Sequence, residues 1–179
     1  MIETERLILR RWKEADREPF AALNASAEVC EFLPKQLNRE ESDAFADRIE
    51  GHFAEHGFGP YAVERKDSGD FIGYTGLSVP RFDAPFMPAV EIGWRLDHAH
   101  WGLGFATEAA CGALAYGFGS LGLEEIVSFT VPINIRSRGV MEKIGLHHDR
   151  ADDFDHPLLE PGDPLRRHVL YRIRREEMA

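Results

Sequence analysis

Cysteine is scarce in this chain of 179 residues, with Cys30 and Cys111 its only two, far apart. That excludes a disulfide framework and points to the reduced thiols of a cytoplasmic protein. Long apolar runs are missing too, and the opening residues, MIETERLILRR, contain no apolar h-region. Neither a signal peptide nor a membrane span is expected. Positive charge is also in short supply: 21 Lys and Arg stand against 31 Asp and Glu, a formal charge of −10. Such a surface repels nucleic acid, whose binding depends on neutralising phosphates. It attracts cationic small molecules or basic peptides. There is no internal repeat and no linker that would split the chain. Residues 1–179 are therefore expected to form one domain with a real core. Hydrophobic residues at 44% and charged residues at 29% are an ordinary soluble balance.

What the chain does have is concentrated in residues 89–109, AVEIGWRLDHAHWGLGFATEA. Val90, Ile92, Trp94 and Leu96 alternate with Ala89, Glu91, Gly93 and Arg95, the period of a strand. A tight turn follows over Trp101, Gly102, Leu103, Gly104, Phe105 and Ala106, and TEAACGALAYGF then reads as a helix rich in small residues. A strand that breaks through glycines into a helix N-terminus points several backbone N–H groups at one spot. That spot suits a phosphate or pyrophosphate. Glycine and alanine are needed there because a branched side chain would hold the ligand's oxygens off the backbone.

The rest of the chain reads as a holder for this site. Residues 6–10 form a first strand, and Asp16 caps a short helix running to about Ser26. Asn38 and Glu41 make a capping box that opens a longer helix ending near His56 and Gly57. Residues 59–64 and 71–79 pair as a hairpin around Lys66 to Gly69. Residues 125–131 are another strand, 134–143 a short helix ended by Gly145, and 146–151 the start of a strand. A long acidic, proline-bearing loop precedes the last strand, 169–174.

The glycine turn lacks the Gly-Lys-Ser/Thr ending of a Walker loop. A dinucleotide fingerprint would need a third glycine where Thr107 stands. Glu124 and Glu125 do lie roughly 20 residues on, where a ribose-binding acid belongs. A nicotinamide-dependent enzyme therefore stays open as an alternative.

The order GDFIGYTGL, EIGWRL, WGLGFATEA, NIRSRGVMEKIGL resembles the GNAT superfamily of N-acyltransferases, most of all its branch like the ribosomal-protein N-acetyltransferases. The resemblance spans Glu3 to Arg174. Two positions depart from it: Trp101 stands where many members carry arginine or glutamine, and Leu146 replaces the usual phenylalanine. The fold it implies is α/β (α+β), a mixed, mostly antiparallel sheet flanked by helices on both faces. The activity it implies is transfer of an acyl group from acetyl-coenzyme A, or another short acyl-coenzyme A, to a primary amine by direct attack in a ternary complex. By the same resemblance, the amides of Leu103, Gly104, Phe105, Ala106 and Thr107 hold the pyrophosphate. The backbone at Trp94 and Leu96 pairs with the pantetheine arm, and Asn134 bonds to it or caps its own helix. Glu91 is the candidate base, standing beside Gly93 on one face of its strand. Ser137 is the candidate partner of the leaving thiolate, because Met141 occupies the position where many members carry tyrosine. No metal is implied. A coenzyme A-binding sensor without turnover is the other alternative.

Further features carry less. His52 to His56 matches H-x-x-E-H, but the helix ends at once, where histidine is favoured electrostatically. His98 and His100 belong to a surface loop, and Cys111 to the core. Arg136, Arg138 and Lys143 are the basic residues expected near the coenzyme phosphates. The acceptor pocket is expected between the 82–87 loop and the 152–167 loop, whose aspartates would gather cationic acceptors. Its occupant is expected to be a peptide N-terminus or a small cationic amine.

Overall fold

A computed structural model describes residues 1–178. Nine strands are joined in the order β1-β2-β3-β4-β5-β6-β9-β7, with β8 attached to β9. They are β1 (Ile2–Glu3), β2 (Leu7–Arg10), β3 (Pro60–Arg65), β4 (Phe71–Ser78), β5 (Glu91–Leu96), β6 (Glu125–Thr130), β7 (His147–His148), β8 (Phe154–Asp155) and β9 (Arg167–Arg174). Four α-helices accompany them: α1 (Arg17–Ala25), α2 (Arg39–His56), α3 (Phe105–Gly119) and α4 (Ile135–Lys143). Every pairing is antiparallel except that of β5 with β6. The mixed, mostly antiparallel sheet expected from the sequence is therefore present.

Helices cover both faces. α3 presses on the face that carries Leu77 and Ile126, where added side-chain bulk on Gly117 would stand 2.8 Å from both residues. α1 and α2 cover the opposite face, where Phe20 and Phe45 meet Tyr74. The main core joins Leu7, Leu9, Phe20, Ile72, Leu77, Ile92, Leu114, Ile126 and Met141. A smaller one gathers Val127, Phe154 and Leu170 with Phe82, Phe86 and Phe129.

Local signals account for most boundaries. Asn38 Oδ1 accepts from the Glu41 amide at 2.9 Å and Glu41 Oε2 accepts from the Asn38 amide at 3.0 Å, closing the capping box of α2. Asp16 behaves differently from expectation. Its carboxylate makes no cap bond to α1. Instead it accepts two bonds from Arg10, at 2.7 and 2.8 Å, and one from the Lys13 amide at 2.7 Å. A buried carboxylate is held better by a guanidinium fork than by one amide. The strand expected over 146–151 stops at His148, because Asp149 turns its side chain onto the Ala151 amide and starts a 3-10 turn. Cys111 is exposed rather than buried. The sheet-facing stripe of α3 is Ala109, Ala110, Ala113, Leu114, Gly117 and Phe118, which leaves Cys111 outward.

Candidate active site

β5 and β6 run together only briefly. Glu91 pairs with Val127, the Val127 amide bonds the Val90 carbonyl at 2.9 Å, and the ladder then stops. The Ser128 hydroxyl takes over the next acceptor, donating to the Ile92 carbonyl at 2.8 Å. Backbone groups alternate in direction along a strand. Since Val90 and Ile92 turn theirs toward β6, Trp94 and Leu96 do the same, beyond the point where β6 has departed. The sheet is thus split, and β5 offers an open edge over the two residues that the sequence assigned to pantetheine. One acceptor of that edge is already used, because the Trp101 indole donates to the Leu96 carbonyl at 2.8 Å. That bond is the local role of the unusual tryptophan: it pins the turn back onto the strand.

The turn itself has the expected form. Gly104 is the N-cap of α3 with φ +82°, a left-handed conformation that side chains resist. The first bond of the helix runs from the Glu108 amide to the Gly104 carbonyl at 3.0 Å. The amides of Phe105, Ala106 and Thr107 therefore lie in the first turn with no helical partner. Gly102 also has positive φ, 75°, and nothing stands within 4 Å of where its Cβ would be. Such a cradle fits a pyrophosphate.

Sequence reading missed the cation nearest this cradle. Arg6 donates to the Leu103 carbonyl at 3.0 Å and to Glu108 at 2.6 Å, and its guanidinium carbon lies 4.5 Å from the Phe105 ring centre. A lone arginine at a strand start carries no local signal of this. Of the basic residues named in advance, Arg136 stacks 4.7 Å from the Trp101 ring and pairs with Glu31. Arg138 is committed to the Tyr171 hydroxyl and the Pro132 carbonyl.

Glu91 stands at the end of the shared ladder, on the face opposite α3. A cavity of about 290 Å³ opens beside it, lined by Phe45, Arg48 and His52 of α2, by Tyr74 and Ser78 of β4, and by Gly93. Burial pushes the Glu91 carboxyl up to about 8. His52 is a structural tie across this wall. Its Nε2 accepts the Val79 amide at 2.9 Å and its Nδ1 donates to the Phe58 carbonyl at 2.9 Å. Both nitrogens are thereby used, so the H-x-x-E-H match has no free ligand at its first histidine.

Asn134 caps α4, accepting from the Ser137 amide at 3.2 Å, and donates to the Thr130 hydroxyl at 3.1 Å. Ser137 sits half-buried in the first turn of that helix. Met141 is fully buried, so its position offers no proton donor.

Neither of the two loops expected to wall the acceptor pocket lines this cavity. The 82–87 loop and the 152–167 loop pack on each other through Phe82, Phe86, Phe154 and His156, joined by Phe129 of β6. Three of the acids there are paired, Asp152 with Arg172, Asp153 with His148, and Asp155 with Arg166 and Arg167, while Glu160 and Asp163 have no basic partner among the described residues. The acids offered for a ribose are similarly engaged, Glu125 by Arg172 and Arg174 and Glu124 by Arg175.

The site thus combines a split sheet, an open strand edge, a left-handed glycine at a helix N-terminus and a half-buried carboxylate. The family described as Acetyltransferase (GNAT) domain matches residues 6–147, and the chain belongs to it. Acetyl-coenzyme A is accordingly its cosubstrate, which sets the nicotinamide reading aside. The chain is similar to the uncharacterized N-acetyltransferase YnaD of Bacillus subtilis, 28% identical over 177 residues that cover 98% of each. It is 36% identical over 117 residues to the FsC-acetyl coenzyme A-N(2)-transacetylase of Aspergillus fumigatus, covering 61% of this chain and 48% of that one. The crystal structure of a GNAT-family acetyltransferase from Bacillus anthracis shares its fold, with a TM-score of 0.81 at 24% identity over 98% of this chain and 99% of the other. Among the described residues no helix is long and apolar enough to cross a membrane.

Proposed function

We propose that this chain acetylates a primary amine, with Glu91 as base and the acceptor held in the cavity beside Gly93. The observation that carries the proposal is the position of Glu91. It is the last residue of β5 to pair with β6, so its carboxylate faces the cavity just where the open edge begins. Bound acetyl-coenzyme A supplies the acyl thioester. Trp94 and Leu96 pair with its pantetheine arm, Asn134 supports that arm from the head of α4, and the amides from Leu103 to Thr107 hold its pyrophosphate.

The acceptor amine must shed a proton before it attacks. Glu91 takes that proton, directly or through water. A carboxyl raised to about 8 is matched to an amine of similar pKa, the condition for efficient transfer. Attack is direct, within a ternary complex. Ser137 offers a hydroxyl proton to the departing sulfur. A thiol pKa near ~8.5 makes that sulfur a tolerable leaving group without help, so Ser137 is an assistant only.

The kind of amine follows from the cost of the proton. Deprotonating a lysine side chain, pKa ~10.4, at pH 7 costs about 4.6 kcal/mol, whereas an α-amine, pKa ~7.8, costs about 1 kcal/mol. One half-buried carboxylate favours the α-amine. The test uses two matched peptides, one with a free N-terminus and a blocked lysine, the other reversed. Faster acetylation of the free N-terminus is expected, and faster acetylation of lysine contradicts the preference.

A further inference from the structure

This chain has ten more acids than bases, and most of its arginines sit against carboxylates. Two do not: Arg48, which lines the acceptor cavity, and Arg95, which lies beside two of its lining rings, Phe45 and Tyr74. Neither Arg48 nor Arg95 has a carboxylate within 4.0 Å among the described residues. Both flank one ring: the guanidinium carbon of Arg48 lies 5.2 Å from the centre of Phe45, and that of Arg95 lies 5.4 Å from it. Arg95 is also 5.6 Å from the Tyr74 ring. Its one hydrogen bond of note goes to a neutral group, the buried Asn24 Oδ1, at 2.6 Å.

The surrounding charges do not compensate. Phe45, Arg48, Ile49 and His52 form the cavity-facing stripe of α2. The acids of the same helix turn to other cations: Asp43 to Arg39, Asp47 to Arg17, and Glu50 to Arg11. Arg81, at the cavity edge, is paired with Glu55. His52 is held neutral by its two backbone bonds and by burial, which lowers its pKa. Glu91 is the remaining acid, and burial keeps it mostly protonated at neutral pH. Tyr74 is uncharged, its pKa raised by burial. The cavity therefore holds cation in excess inside an acidic protein.

Geometry places that excess at a useful distance. Glu91, Gly93 and Arg95 lie on one face of β5, opposite Ser78, Gly76 and Tyr74. Gly93 is two residues from each of its charged neighbours, about 7 Å along the strand. An amine over Gly93 has a base on one side and, on the other, two arginines in reach of a second group.

We propose that the acceptor is a primary amine bearing a carboxylate or similar anion within roughly 7 Å of its nitrogen, recognised by Arg48 and Arg95 around Phe45. This rests on the amine-acetylation reading of the same site. A guanidinium fork suits a carboxylate geometrically, and the aromatic rings beneath keep both forks extended.

The test compares glycine, phenylalanine and glutamate with their α-amides. Glutamate α-amide against glutamine α-amide places the anion farther from the amine. Acetylation is followed with acetyl-coenzyme A, and binding to the coenzyme A complex by calorimetry. The free acid raises its own amine pKa, so chemistry alone favours the amides. A preference of tenfold or more in kcat/KM for one carboxylate arm is expected. In Arg48→Gln that preference should collapse with circular dichroism unchanged, and Arg48→Lys should restore part of it. Amides acetylated as well as or better than acids overturn the proposal and leave acyl transfer standing. Acids that bind through Arg48 without being acetylated leave the anion site standing and defeat the acyl-transfer reading. Binding of neither arm overturns the proposal.

Discussion

The Oε1 atom of Glu91 lies 3.8 Å from where a Cβ would stand on Gly93, and no other atom comes within 4 Å of that point. The proposed base therefore faces an empty patch of strand wide enough for a reacting group. Gly93→Ala should fold normally, since the added methyl meets only that one ordinary contact. Alanine in a strand interior is better than glycine by roughly 0.5–1 kcal/mol, so thermal stability should hold or rise. The methyl would occupy the place proposed for the acceptor, and kcat/KM should then fall at least about tenfold, equivalent to 1.36 kcal/mol. Steady-state kinetics beside a melting curve checks both halves.

Gly104 combines an exposed turn position with φ +82°. Gly104→Ala should cost about 1–2 kcal/mol of stability through left-handed strain. It should also weaken acetyl-coenzyme A binding at least about tenfold, measured by calorimetry at a temperature where the variant is folded. Gly57 ends α2 with φ +76° and open space around it. Gly57→Ala carries the same strain far from the turn and should leave the affinity unchanged.

Much of this was legible in the sequence because its signals are local. Alternation marked β5, glycines marked the turn, and Asn38 with Glu41 marked α2. The placing of Glu91 beside Gly93 followed from strand parity alone. What escaped is set by tertiary pairing. Asp16 has every property of a helix cap, yet Arg10, six residues back at the end of β2, holds its carboxylate. Asp152 looks free in sequence, because its partner Arg172 is twenty residues on, in β9. Phe45 and Arg48 read as ordinary helix positions until β4 and β5 supply the other wall of the cavity.

The pH dependence follows from Glu91. As a base it must be ionised, so wild-type kcat/KM should rise with pH through an apparent value near 8, shared with the acceptor amine. Glu91→Gln should lower turnover by about 10²-fold or more near pH 7, with little change in coenzyme affinity, and the deficit should shrink at higher pH as free amine accumulates. Ser137→Ala should cost far less. Stability gives a second readout. A carboxyl raised from 4.5 to about 8 on folding holds its proton more tightly in the native state. Its contribution is complete below pH 4.5 and is lost as pH rises toward 8. Glu91→Gln should remove that slope from urea melts taken across the window.

The Arg10–Asp16 pair is buried, with Glu64 as a second acid on Arg10 at 2.5 Å. Asp16→Ala removes the bidentate partner and the acceptor of the Lys13 amide. Loss of one member of a buried pair costs roughly 3–5 kcal/mol. Urea denaturation should show a loss of that size, with acetyl-coenzyme A affinity unchanged in the folded fraction.

Transfer of an acetyl group to an amine at Glu91 is the activity proposed for this chain. The direct measurement is release of free coenzyme A thiol from acetyl-coenzyme A in the presence of a panel of α-amines, with the N-acetylated product quantified by mass spectrometry. Thiol and product are expected in equal amounts, dependent on the amine and largely abolished in Glu91→Gln near pH 7. Tight acetyl-coenzyme A binding with no amine-dependent thiol release would contradict the proposal and make the protein a coenzyme A-binding sensor.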